Sequence, residues 1–214
     1  MALDLREDNR LFIAFDLPRD LRSVLVRAGE GVAREHGGSA VPAGNLHATV
    51  AFLGQIAPER GSKVVHALDA ARGPALPVRV SGLVACPSSR RARLVAAELT
   101  GRERDLVERW GALAAATCRA AGMPAPGPAW PHVTVARFRK PPRLPSAWAP
   151  GAAPDDVRMG WYPSSERTFV VRRVTLYDSH LSRRGPPRYE PLATVTLTAM
   201  EPEGATEAPG AGST

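Results

Sequence analysis

The chain has 214 residues, 44% hydrophobic and 23% charged, with 28 Lys and Arg against 21 Asp and Glu for a formal charge of +7. This balance suits one large globular domain or two small lobes sharing a core. It excludes a disulfide scaffold, because only Cys86 and Cys118 occur, both in apolar settings that read as buried thiols.

No apolar run approaches the ~20 residues of a membrane span, and the mixed, acidic N-terminus lacks the layout of a signal peptide. A cytoplasmic protein is therefore expected. The basic excess would draw a polyanion such as RNA to the surface, although a composition rich in Ala, Arg, Gly and Pro gives the same charge without such a partner.

Residues 10–17 (RLFIAFDL) form an apolar β-like run closed by Pro18. Leu21, Val24, Leu25, Ala28 and Val32 then recur at helical spacing and predict a helix over 19–35. Gly37 and Gly38 end it with a left-handed cap, and His36 beside them reads as a solvated last-turn residue. A strand is predicted over 46–53. A helix over 58–71 follows, with Val64, Val65, Leu68 and Ala71 inward and His66 on its surface or flank. Strands over 78–85 and 92–99 are joined by a turn at 87–91.

A third helix over 102–121 carries the stripe Leu106, Val107, Trp110, Leu113 and Ala114. A Pro-rich stretch then leads to a strand over 132–138. Residues 140–165 lack periodicity and read as a long surface loop, whose Trp148, Trp161 and Tyr162 either pack it down or stack on bases. Strands over 168–177 and 189–197 follow. His180 lies with Arg183 and Arg184 in a basic turn between them that reads as solvated. Residues 201–214 have the small, polar composition of a disordered tail. The order of elements suggests two halves of similar make-up, as from an internal duplication.

Two strands carry one motif. Leu46–Phe52 (LHATVAF) and Pro131–Phe138 (PHVTVARF) both contain His-x-Thr-Val-Ala. At a period of two, His47, Thr49 and Ala51 share a face opposite Leu46, Ala48, Val50 and Phe52. In the same way His132, Thr134 and Ala136 oppose Val133, Val135 and Arg137 in a regular strand. One His-x-Thr says little, since a half-buried strand histidine and a β-favouring threonine account for it. Two copies in matching strand contexts point to a site.

Opening a cyclic phosphodiester needs a base for the attacking water and an acid for the departing sugar oxygen. Histidine titrates close enough to neutrality for one ring to be neutral and the other charged at one pH. In-line displacement places the two on opposite sides of phosphorus. Thr49 and Thr134 supply hydroxyl donors for the non-bridging oxygens. No third His, Cys or carboxylate stands in ligand spacing around either motif, so neither a metal nor a cofactor is expected.

The chain resembles the two-histidine phosphoesterase superfamily, and within it the RNA 2′,3′-cyclic phosphodiesterases, also called LigT-like 2′-5′ RNA ligases (ThpR). The resemblance runs from Arg10 to Leu197 and rests on residues 10–18, 41–54, 131–138 and 176–197. It implies an α+β fold of two antiparallel-sheet lobes flanked by helices around a central cleft, so that residues 1–200 would form one bilobal domain. It also implies His47 as proton donor, His132 as proton acceptor, and Thr49 and Thr134 as phosphate ligands. Arg137 matches a basic residue of the family, but a bulge or strand end is needed to swing it to the site.

The activity implied is hydrolysis of RNA 2′,3′-cyclic phosphate ends to 2′-phosphomonoesters, with 2′-5′ ligation as the reverse. Alternatives are a phosphodiesterase of a small cyclic nucleotide or of ADP-ribose cyclic phosphate, and a non-catalytic RNA-end binding protein. Two features depart from the pattern: the strand over 92–99 lacks an aromatic near its middle, and the 140–165 loop is long.

Overall fold

The apolar run behind Arg10 becomes strand β1 (Leu11–Phe15), and all five of its side chains are buried. In the computed structural model, which describes residues 9–70, 72–101, 105–148, 168–182 and 185–198, β1 is an inner strand of a four-stranded antiparallel sheet. Its neighbours are β3 (Ala48–Gly54) on one side and β8 (Arg173–His180) on the other, with β9 (Arg188–Thr196) beyond β8. The second sheet has five antiparallel strands. In spatial order they are β2 (Ser39–Ala40), β6 (His132–Arg137), β5 (Leu94–Thr100), β4 (Leu76–Cys86) and β7 (Phe169–Val171). The fold is α+β, as expected, but each sheet draws strands from both halves of the chain.

The helices also cross over. Helix α1 (Arg19–His36) leaves the first sheet and packs on β6 of the second, whereas α3 (Asp105–Ala121) leaves the second and packs on β3 of the first. Helix α2 (Pro58–Ala70) lies against α3. One apolar cluster, including Ile13, Leu25, Leu68, Trp110 and Val135, joins the elements of both sheets. Each large side chain in it contributes about 1.5–3 kcal/mol by leaving water.

Several expectations change. The run over 168–177 is two strands, β7 paired with β4 and β8 paired with β1. Arg172 and Arg173 are both exposed there, so the buried positions step from Val171 to Val174 and lose the period of two. Val107 is 46% exposed and sits outside the stripe of α3. Cys118 is buried, but Cys86 is only half-buried.

His36 is not solvated. Its ring packs edge-on against Trp148 at 5.4 Å, and its side chain is 14% exposed. Trp148, at 1% exposure, holds the start of the 140–165 loop down on the core. His180 ends β8 rather than sitting in a free turn, with Nε2 3.3 Å from Asp178 and 3.2 Å from Glu190. Trp161, Tyr162, Arg183, Arg184 and the 201–214 tail lie outside the described residues, as do Ala71 and residues 102–104.

Helix α1 meets β6 at Gly29, where a Cβ would stand 2.4 Å from the carbonyl oxygen of Val135. That oxygen also accepts the Val41 N–H at 2.8 Å. Alanine is ordinarily favoured over glycine in a helix by about 1 kcal/mol, but a backbone atom tied into a sheet yields little. Gly29→Ala is therefore expected to lower unfolding stability by about 1–3 kcal/mol. Urea denaturation checks this, and an unchanged or raised midpoint would show that α1 can back away from the sheet.

Candidate active site

Strands β3 and β6 touch where the two sheets meet, and this brings the two motifs together. His47 immediately precedes β3 and His132 opens β6. The two imidazoles are held alike. His47 Nδ1 lies 2.7 Å from the carbonyl oxygen of Asn45, and His132 Nδ1 lies 2.7 Å from that of Trp130, each two residues back. With Nδ1–H donating to a carbonyl, the Nε2 of each neutral ring is left with its lone pair available. The turn carrying His47 is pinned from two sides. Arg22 of α1 donates to the carbonyls of Ala43 and Leu46, and Asn45 Nδ2 donates to Pro187 O at 2.6 Å.

Both strands bulge at the valine of His-x-Thr-Val. Between β1 and β3, Ile13 pairs with Ala51 and Ala14 with Thr49, so Val50 is the extra residue. Between β5 and β6, Val95 pairs with Ala136 and Ala96 with Thr134, leaving Val135 extra. A bulge resets the alternation of side chains. Ala51 and Ala136, expected beside the histidines, are buried, whereas Phe52 is 70% exposed and Arg137 is exposed. The bulge that Arg137 required is present, and its charge acts on both His47 and His132.

Burial, more than any other cause, pushes His47 down to about 4, and the charges of Arg137, His132 and Arg22 push the same way against the Asn45 hydrogen bond. His132 is also lowered, again chiefly by burial and further by Arg137, while the Trp130 hydrogen bond and Glu98 oppose the shift. Without a ligand the two rings are neutral beside a cation, an arrangement that receives an anion.

A folded-state value below the unfolded one means that the unfolded chain takes up the proton first as pH falls. His47 should therefore cost on the order of 3 kcal/mol of stability as pH drops from about 6.5 to about 4. Denaturation across that range should flatten in His47→Asn. An equally steep loss in the variant would assign it to other groups.

Aromatic rings wall the site. Phe12 lies 4.9 Å from the His47 ring, and Tyr189 meets that ring edge-on at 5.0 Å. Phe12 is itself stacked on Tyr177, whose hydroxyl donates to Asp16 at 2.6 Å. Trp130 stacks on His132 at 3.9 Å with 22° between the planes. A cavity of about 270 Å³ runs beside α3, with Thr49, Phe52, Trp110, Trp130 and His132 in its lining. Thr134 is half-buried on β6, two residues beyond His132.

Sequence reasoning passed over Arg22, Phe12, Tyr189, Trp130 and Glu98. Phe12 read only as core, and the others stand outside the repeated motif. Among the described residues no group of three or more His, Cys, Asp or Glu is placed to hold a metal ion, and no helix is long and apolar enough to cross a membrane.

The family model described as LigT like Phosphoesterase matches residues 15–96, which include His47 and Thr49. An RNA 2′,3′-cyclic phosphodiesterase of Escherichia coli (strain K12) is 26% identical over 194 residues, covering 91% of this chain and 99% of that protein. The crystal structure of E. coli LigT complexed with 3′-AMP superposes with a TM-score of 0.63 at 26% identity, over 89% of this chain and 98% of that one. The TT0787 protein of Thermus thermophilus gives a TM-score of 0.66 at 25% identity, over 90% and 100%. With the matching fold and the paired His-x-Thr strands, the chain is similar over most of its length to the LigT-like phosphoesterases.

Proposed function

We propose that this protein hydrolyses 2′,3′-cyclic phosphate ends of RNA to 2′-phosphomonoesters, with residues 1–200 acting as one bilobal unit. The observation that carries this reading is the pair of imidazoles on adjoining strands, each anchored at Nδ1 so that Nε2 is free for proton transfer. His132 Nε2 takes the proton of the attacking water as the new P–O bond forms. His47 Nε2 gives a proton to O3′ as the old P–O bond breaks.

Thr49, Thr134 and Arg137 stabilise the negative charge that builds on the non-bridging oxygens. His47 starts neutral near pH 7, so the arriving anion must raise its affinity for the proton it later donates. The two histidines supply both proton transfers, and the scheme calls for no metal ion or cofactor. A 5′-hydroxyl in place of water would use the same pair for 2′-5′ ligation. An RNA end is favoured by the charge of +7 and by the named activity of the E. coli relative.

The test is turnover after exhaustive chelation on RNA oligomers with a 2′,3′-cyclic end, cyclic mononucleotides and ADP-ribose cyclic phosphate. The expected product is RNA with a 2′-phosphate, formed at an undiminished rate. Activity lost to the chelator and restored by a divalent ion would overturn the proton scheme. Turnover confined to the small substrates would overturn the RNA assignment, and tight RNA binding without turnover would make the protein an end-binding module.

A further inference from the structure

The two half-sites share a motif, an Nδ1 anchor and a bulge, yet their surroundings differ in one respect. Among the described residues, the charged groups acting on His47 are Arg137, His132 and Arg22, with no carboxylate among them. Those acting on His132 are Arg137 on its own strand and Glu98 on β5, with His47 facing it from the start of β3. Glu98 is the residue directly paired with His132 across the β5–β6 ladder. Its Oε1 accepts the indole N–H of Trp130 at 3.0 Å, and its Oε2 accepts the Ser81 hydroxyl at 3.3 Å. Trp130 in turn lies almost flat on the His132 ring.

We infer that Trp130 and Glu98 are a positioning pair that orients the His132 imidazole and stabilises the imidazolium it becomes on taking the proton from water. This rests on the function proposed above. An indole face attracts a cation more strongly than any other aromatic side chain, and a parallel ring also limits rotation of the imidazole. The carboxylate behind it holds the indole by its N–H and adds a negative charge beside the developing positive one. Together they offset the repulsion from Arg137, which the phosphate needs but a protonated His132 opposes. His47 gives up its proton during the reaction and becomes neutral, and the charged form it starts from is supported by the arriving anion. Its neighbours Phe12 and Tyr189 provide packing without a carboxylate.

Three variants test the pair: Glu98→Gln, Trp130→Leu and Trp130→Phe. The first readout is the titration of the His132 ring by NMR in the substrate-free enzyme. Its midpoint should fall by about half a unit to one unit in Glu98→Gln and in Trp130→Leu, and by less in Trp130→Phe, which keeps a stacking ring. The second readout is the pH profile of turnover on a 2′,3′-cyclic substrate. The base must be neutral to act, so the limb of kcat/KM that follows the His132 titration should move to lower pH with the midpoint. Plateau kcat should drop roughly tenfold while KM stays near normal, because a weaker, less well oriented base slows the chemical step rather than binding.

A midpoint unchanged in both Glu98→Gln and Trp130→Leu would overturn the inference. So would a shifted midpoint with normal kcat, or a loss seen only in KM. Glu98→Gln is nearly isosteric and keeps the test valid if Trp130→Leu fails to fold. Failure of the underlying reading shows separately as near-normal turnover in His132→Ala. The ring titration, read without substrate, still decides whether the pair supports a charge on His132.

Discussion

His47→Ala and His132→Ala are each expected to reduce kcat/KM by about 10²–10⁴-fold while leaving the fold intact. Each ring lies at the start of a motif strand and makes one hydrogen bond to a backbone carbonyl. Truncation therefore opens space at the site without removing a sheet contact. The roles are complementary, so loss of either ring leaves one proton transfer to water. The double variant should be little worse than the poorer single one, because residues acting as a unit are not additive. Steady-state kinetics on a 2′,3′-cyclic RNA end, with a thermal melt to confirm folding, checks this. Near-normal activity in either single variant would dismantle the mechanism.

Arg137→Met is expected to cost about 10²–10³-fold in kcat/KM, the usual loss when a donor to a developing oxyanion is removed. The side chain is exposed, so the fold should tolerate the change. A second effect has a definite sign. Arg137 lowers the proton affinity of both histidines. Without it both values should rise, and the acidic limb of kcat/KM should move to higher pH. This is opposite to the shift expected for Glu98→Gln. An unchanged profile and rate would return Arg137 to a surface role, with its approach to the histidines a by-product of the bulge.

The parts of this site legible in the sequence are those that depend on residue type at short range. The repeated His-x-Thr-Val-Ala identifies both strands and both histidines, because a strand presents residues i and i+2 on one face wherever it lies. The periodicity of α1 gives the buried set Leu21, Val24, Leu25, Ala28 and Val32, all of which lie in the core. Phe52 and Arg137 show where this reasoning stops. Each stands five residues after its histidine, which in a regular strand would put it on the opposite face, and each is exposed beyond the bulge at Val50 or Val135. The switch of sheets at Arg172 lies between these cases. The change in spacing from Val171 to Val174 is visible in the sequence, but the partners of the two strands are not.

What the sequence determined by itself is therefore most of the elements, most of their apolar faces and the two histidines with their threonines, all consequences of side-chain period and local propensity. What only the tertiary structure decided is the mutual placement of these parts. Helices α1 and α3 exchange sheets, and β3 and β6 come into contact although their motifs lie far apart in the chain. A bulge belongs to a pair of strands, since the partner's register decides which residue is left over. At Val135 the carbonyl of the extra residue is met by Val41 and approached by Gly29, both remote in sequence. The stack of Trp130 on His132, and the carboxylate of Glu98 behind it, likewise exist only once β5 and β6 are paired. Local preference can specify a strand, but which side chains meet across two strands depends on a register set by the packing of the whole chain.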